Sequence, residues 1–216
     1  MFASIRRYRL VRGSMAELMR RVDASFADDL SAQPGFVSYE FMDCGDDEVM
    51  TVSVFREARG ADASRELAAR WTQENLESFE FTRLEALRGE IMVSRAAQDM
   101  LAPAHAGATD RFASIRRYRL RSGSIEDLVH IVDETFADRI SEMDGFEAYH
   151  VIDCGAGEIM SVSFFRDQAT AEESDDRALQ FVRDELGDFD IERTEVIGGL
   201  VAVTRAMEEL LEPAHA

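Results

Sequence analysis

The chain contains no lysine; all 24 of its basic residues are arginine, set against 43 acidic residues for a net charge of -19. A surface this acidic repels phosphate backbones and anionic lipid at long range, which argues against nucleic-acid and membrane partners. Two origins fit the missing lysine and both stay open: a salt-rich cytoplasm, where the self-repulsion is screened, or a GC-rich genome that favours arginine codons. Cysteine is equally scarce. Cys44 and Cys154 are too few for a disulfide-stapled scaffold, and no Cys/His spacing resembles a zinc site. No metal is therefore expected. No apolar run approaches the ~20 residues that span a bilayer. The opening Met1-Phe2-Ala3-Ser4-Ile5-Arg6-Arg7 has no apolar core of a secretory signal, so a cytoplasmic protein is expected. A Ser-His-Asp order, a phosphate-cradling glycine loop and a dinucleotide fingerprint are also missing.

What is present is a repeat. Phe2-Ala3-Ser4-Ile5-Arg6-Arg7-Tyr8-Arg9-Leu10 recurs verbatim from Phe112 to Leu120. Asp43-Cys44-Gly45 returns as Asp153-Cys154-Gly155, and Pro103-Ala104-His105-Ala106 as Pro213-Ala214-His215-Ala216. The offset is constant at 110 residues. Two copies make a duplicated domain rather than a solenoid. The expected organisation is repeat 1 over 1–106, a small polar linker over 107–111, and repeat 2 over 112–216.

Each copy reads β-α-β-β-α-β. A first strand runs from about Ala3 to Val11. Ser14 with Glu17 forms a capping box, echoed by Ser124 and Asp127. Met15, Leu18, Met19, Val22, Phe26 and Leu30 then follow helical spacing, kept in the second copy with changed residues. Pro34-Gly35 ends that helix. Phe36 to Cys44 and Glu48 to Arg56 read as a hairpin. A second helix is expected from about Asp62 to Phe79, a last strand from about Leu84 to Ser94, and a short helix from Ala96 to Leu101. The order predicts an α+β fold of two tandem ferredoxin-like repeats. Such a unit carries both helices on one sheet face and leaves the other bare, and the tandem copy is the nearest cover. The expectation is an intramolecular pseudo-dimer whose antiparallel sheets pack face to face as an α+β barrel, either final as it stands or dimerising once more.

Element order, repeat length and the stretch Ser53-Val54-Phe55-Arg56 followed by the helix Ser64 to Asn75 resemble the dimeric α+β barrel superfamily, in particular the antibiotic-biosynthesis-monooxygenase-like proteins. The resemblance implies a ligand cavity between sheet and helices in each unit. The activities it brings into view are cofactor-independent oxygenation, haem degradation, haem binding and isomerisation, so it does not by itself select a chemistry. The Asn, Trp and His set of the haem degraders does not map onto this chain. A haem ligand would have to be His130 or His150.

The residues fit for a pocket are few. Trp71 and Asn75, four apart, share one face of the second helix, with Phe181 and Glu185 as their counterparts. They would stack on and orient a planar ligand, or be an ordinary core Trp beside a partly exposed amide. On the first strand Arg6 and Tyr8 share one face, Arg7 and Arg9 the other, and Arg116 and Tyr118 repeat the pattern. A central strand bearing Arg on both faces needs paired carboxylates, such as Glu40, Glu48 or Glu90, or an anionic ligand such as a carboxylate or phenolate. The leading functional expectation is a small-molecule-binding, monooxygenase-like protein acting without a cofactor on an aromatic or quinol substrate. A non-catalytic module stabilised by duplication, and a haem-binding protein, are the alternatives.

Overall fold

A computed structural model describes residues 1–215 of the chain. The last residue of the second repeat lies outside the described residues. In repeat 1, β1 (Phe2–Arg12) leads to α1 (Met15–Arg21), a π-helical turn (Val22–Phe26) and α2 (Ala27–Ser31). The hairpin β2 (Phe36–Asp43) and β3 (Glu48–Phe55), the helix α3 (Ala58–Asn75) and the strand β4 (Glu80–Ala96) follow, with a 3-10 turn at Gln98–Leu101. Repeat 2 has β5 (Phe112–Ser122), α4 (Ile125–Ile131), a π-helical turn (Val132–Phe136), α5 (Ala137–Ser141), β6 (Phe146–Gly155), β7 (Glu158–Phe165), α6 (Gln168–Glu185) and β8 (Asp190–Ala206).

The β-α-β-β-α-β order is observed in both copies. Ser14 caps α1 by accepting the Glu17 N–H, and Ser124 caps α4 by accepting that of Asp127. The second helix begins earlier than Asp62 and ends at Asn75 rather than Phe79. Phe79 instead turns inward to stack on Phe81. That ring also lies where a side chain at Gly13 would sit, so β1 can end there only with a glycine, at φ +127°. The last strand is longer than Leu84 to Ser94, and the short helix after it is only a 3-10 turn.

The π-helical turns leave no trace in hydrophobic spacing. Each inserts one residue into the helix ladder and keeps both Val22 and Phe26, or Val132 and Phe136, buried.

The chain divides into two compact units. Unit 1 holds Met1–Arg88, Leu101–Thr109 and Gly199–Glu209; unit 2 holds Gly89–Met100, Asp110–Gly198 and Leu210 onward. In unit 1 the hydrogen-bonded strand order is β4-β1-β3-β2-β8. The first four strands are the ferredoxin-like order. The fifth is the C-terminal half of β8, paired antiparallel to β2 with Ser38 opposite Ala206 and Asp43 opposite Leu200. Unit 2 repeats this as β8-β5-β7-β6-β4, with Glu90 to Ala96 of β4 paired to β6. In unit 1 α1, the π turn, α2 and α3 pack a core of Leu18, Phe26, Tyr39, Phe41 and Trp71 against the sheet. Unit 2 builds the matching core from Leu128, Phe136, Tyr149, Val151 and Phe181.

The histidine tails are docked on acids. In unit 1 His105 Nδ1 lies 3.0 Å from Asp23, which also accepts from Arg205 at 3.0 Å and from the Ala106 N–H at 3.1 Å. Burial pushes the Asp23 carboxyl up, but these partners outweigh it and hold the group below its ordinary range. In unit 2 His215 and Arg95 meet Asp133 in the same way, at 3.1 and 2.7 Å.

Candidate functional site

The seam between the second helix and the sheet differs between the two units. In unit 2 it contains a cavity of about 30 Å³. Its walls are apolar, with Leu128, Val132, Phe136, Val151 and Phe181 among them, and the hydroxyl-bearing Tyr118, Tyr149 and Ser161 share the lining. On the outer side of Phe136 and Phe181 lies a second hollow of about 190 Å³, rimmed by Arg139, Arg177, Asp184 and Glu185. The two spaces share only Phe136 and Phe181, whose rings sit 4.8 Å apart at a tilt of 30°. This ring pair therefore separates the inner cavity from the outer cleft.

In the aligned repeats, unit 1 carries larger side chains at three positions of the unit 2 cavity wall. Val151, Phe181 and Ile191 of the cavity wall correspond to Phe41, Trp71 and Phe81. All three belong to the packed core of unit 1. Trp71 is buried against Phe26, 5.1 Å between ring centroids, and its indole N–H donates to Ser25 Oγ at 2.9 Å. The Asn75 amide donates to the Trp71 carbonyl at 2.9 Å, a bond within its own helix, so it does not reach into the seam. Its counterpart Glu185 is exposed and pairs with Arg139 at 3.1 Å on the outer cleft.

The first strands also diverge. Arg7 and Arg9 both bind Glu48, as alternation requires, and Arg117 binds Glu158. On the inner face, Arg116 is fully buried. Its Nε donates to Asp175 at 2.7 Å, one terminal nitrogen to Ser163 Oγ at 2.9 Å, and the other to Ser174. Arg6, the copy of Arg116, is half-buried and donates to Ser64 Oγ at a long 3.4 Å. Burial is the main cause that lowers the pKa of Arg6; Tyr8 and Tyr39 oppose it, and Arg65 and Arg83 add to it. Sequence reasoning missed Asp175, Arg65 and Arg83. The signal was available in the repeat itself, because Asp175 aligns with Arg65, a reversal of charge beside an arginine that both copies keep.

Tyr118 and Tyr149 both have their pKa raised by burial, so they stay neutral and act as hydrogen-bond donors rather than bases. His150 is buried, lies 3.1 Å from Ser94 Oγ through Nδ1, and has its pKa lowered by burial to about 4. His130 is exposed beside Glu134 at 3.3 Å. Burial pushes the Cys44 thiol up to about 12, which leaves no thiolate for chemistry at neutral pH. Among the described residues no group of three or more His, Cys, Asp or Glu could hold a metal ion. Among them, too, no helix is long and apolar enough to cross a membrane.

No family model matches the chain, and no curated protein matches it. Solved structures do. A "putative monooxygenase" from Lactobacillus acidophilus NCFM superposes with a TM-score of 0.69 at 11% identity, over 95% of each chain. An anthrone oxidase-like protein gives 0.55 at 11% identity, over 97% of this chain and 95% of that one. A heme-binding protein from Thermus thermophilus gives 0.54 at 9% identity, over 92% and 90%. The chain thus has the dimeric α+β barrel fold of the antibiotic-biosynthesis-monooxygenase-like proteins, written as a tandem duplication.

Proposed function

We propose that the second unit binds a small, planar, electron-rich aromatic molecule of the phenol or quinol class, and that the protein is a monooxygenase-like enzyme working without a bound cofactor. The observation that carries this reading is the cavity at Tyr118, Tyr149 and Phe181, present where three positions are smaller than in repeat 1. At about 30 Å³ the closed cavity holds about one water. Pockets for drug-sized ligands start at roughly 300 Å³. Rotation of Phe181 would join the inner cavity to the outer cleft of about 190 Å³ and make room for a smaller ring. Once inside, the ligand ring stacks on Phe136 and Phe181, and its oxygen accepts from Tyr118 or Tyr149. The pocket assigned here is that of the second unit; in the first unit the larger Trp71 stands at the position of Phe181, and Arg6, Tyr8, Trp71 and Asn75 are not assigned to the pocket.

A neutral donor facing a substrate oxygen favours its ionised form. The electrons for O₂ then come from the substrate. For an aromatic methylene flanking such a ring, CH₂ becomes C=O. One atom of O₂ enters the carbonyl, and the other leaves as water with both methylene hydrogens. The fold neighbour described as anthrone oxidase-like supports this choice of substrate class.

The test is a calorimetric titration with 1-naphthol, followed by oxygen-electrode measurements with an anthrone. Saturable binding is expected, with at least a tenfold loss in Phe181→Trp, which restores the ring that fills repeat 1. Equal affinity of wild type and Phe181→Trp, or no saturable binding at all, overturns the reading. The alternative of a purely structural duplication draws support from unit 1, whose Trp71 is buried in the core with its N–H satisfied. It predicts no binding and no oxygen uptake. A haem site draws less, since His150 is enclosed and already engaged by Ser94.

A further inference from the structure

We propose that Arg6, Arg65 and Arg83 of the first unit form a binding site for a carboxylate ligand, held where repeat 2 keeps the carboxylate of its own Asp175. This inference is independent of the aromatic pocket in unit 2.

The second repeat shows what the position demands. Around the buried guanidinium of Arg116 stand Ser114, Ser163, Ser174 and Asp175. Ser114 Oγ and Arg116 Nε both donate to one oxygen of Asp175, and Arg193 donates to the Asp175 backbone carbonyl at 3.1 Å. A carboxylate is thus the acceptor on which a strand arginine and a strand serine converge. The site is internally neutralised.

The first repeat keeps every donor and removes the acceptor. Ser4, Ser53, Ser64, Arg6 and Arg83 stand at the positions of Ser114, Ser163, Ser174, Arg116 and Arg193. Asp175 is replaced by Arg65. Arg6, Arg65 and Arg83 thus stand at the positions whose repeat 2 counterparts meet around Asp175, in a protein whose net charge is -19. Arg65 and Arg83 are exposed, so the site opens to solvent. Arg65 has Asp62 3.8 Å away, and Arg88 already binds that carboxylate at 2.9 Å. A second observation points the same way. Ser53 Oγ is fully buried and, among the described residues, has no hydrogen-bond partner, whereas its copy Ser163 accepts from Arg116. Where Arg116 bonds Ser163, the Arg6 guanidinium makes a long bond to Ser64 at 3.4 Å and, among the described residues, none to Ser53. A bound carboxylate would accept from Arg6 and Ser4 as Asp175 does, and Arg65 would bring a further donor in place of a fixed charge.

The experiment is an NMR or calorimetric titration of the full chain with benzoate and acetate at low ionic strength, with chloride and sulfate as controls. Saturable 1:1 binding is expected in wild type. Arg65→Asp, which writes the sequence of repeat 2 into repeat 1, should lower affinity at least tenfold and leave the melting temperature unchanged or raised. In a second arm, Asp175→Ala removes the built-in carboxylate of repeat 2, and added acetate should raise the melting temperature of this variant more than that of wild type. The proposal is overturned if Arg65→Asp binds benzoate as well as wild type does. It is equally overturned if wild type shows no saturation, or if chloride at equal ionic strength competes as well as the carboxylates do.

Discussion

Removing Asp175 tests whether the buried guanidinium of Arg116 depends on it. Arg116 has no exposed surface, and its side chain makes three hydrogen-bonded contacts: one to a carboxylate and two to neutral serine hydroxyls. In Asp175→Ala the two serine contacts survive, but the carboxylate that balances the guanidinium is gone. A charge stripped of its counter-ion in the interior costs roughly 3–5 kcal/mol. Asp175 is 23% exposed, so water can partly replace it, and the lower end, about 3 kcal/mol, is expected. For a chain of this length that corresponds to roughly 6–12 °C in melting temperature. The assay is urea unfolding, read as a fall in midpoint at constant slope. The double variant Arg116→Met, Asp175→Ala removes both charges and should recover most of the loss, because a methionine fills the space without a buried charge. A loss below about 0.5 kcal/mol in Asp175→Ala, of the size expected for an ordinary surface change, would refute the reasoning. So would a double variant that is no better than the single one.

Trp71→Phe should open in unit 1 a hollow like that of unit 2. It loses the indole bond to Ser25 and part of the buried ring, at about 1–2 kcal/mol in a denaturant melt; unchanged stability would mean the ring is not filling the seam. His150 titrates in the opposite sense to a salt-bridged histidine. Burial holds its folded pKa near 4, below the ordinary value of 6.5, so the unfolded chain takes up the proton first. The stability associated with neutral His150 is complete above pH 6.5 and is lost as pH falls from there toward 4. Between about pH 8 and pH 5 wild type should lose about 2 kcal/mol more than His150→Gln; parallel stability curves for the two would refute the assignment.

Much of the fold is legible from the repeat. A stripe such as Leu18, Val22, Phe26 survives as Leu128, Val132, Phe136, so its spacing reports a packed face. The pairing of Arg7 and Arg9 with Glu48 follows from alternation and from the β1–β3 register, in which Arg9 lies opposite Glu48. The π turn at Val22–Phe26 is not legible, because one extra residue per turn leaves the apolar positions buried. Nor is the cavity, since it depends on how much volume three separate positions supply together. Trp71 draws attention in the sequence as the sole tryptophan, yet it is a core residue packed against Phe26. The fate of Arg6 was decided far along the chain, on another element, where Arg65 stands in place of an aspartate. Reading the strand alone shows two identical arginines. Only the aligned helices show that one is neutralised and the other is not.

The long last strand has a consequence for any attempt to cut the chain. Gly199 to Ala206 is the outermost strand of unit 1 and covers β2 from Ser38 to Asp43. A protein truncated at Gly198 would bare the amides and carbonyls of β2, a strand rich in Phe, Tyr and Val. Such an edge recruits whatever strand is in reach, so shortened forms should self-associate through β-addition rather than persist as soluble half-molecules.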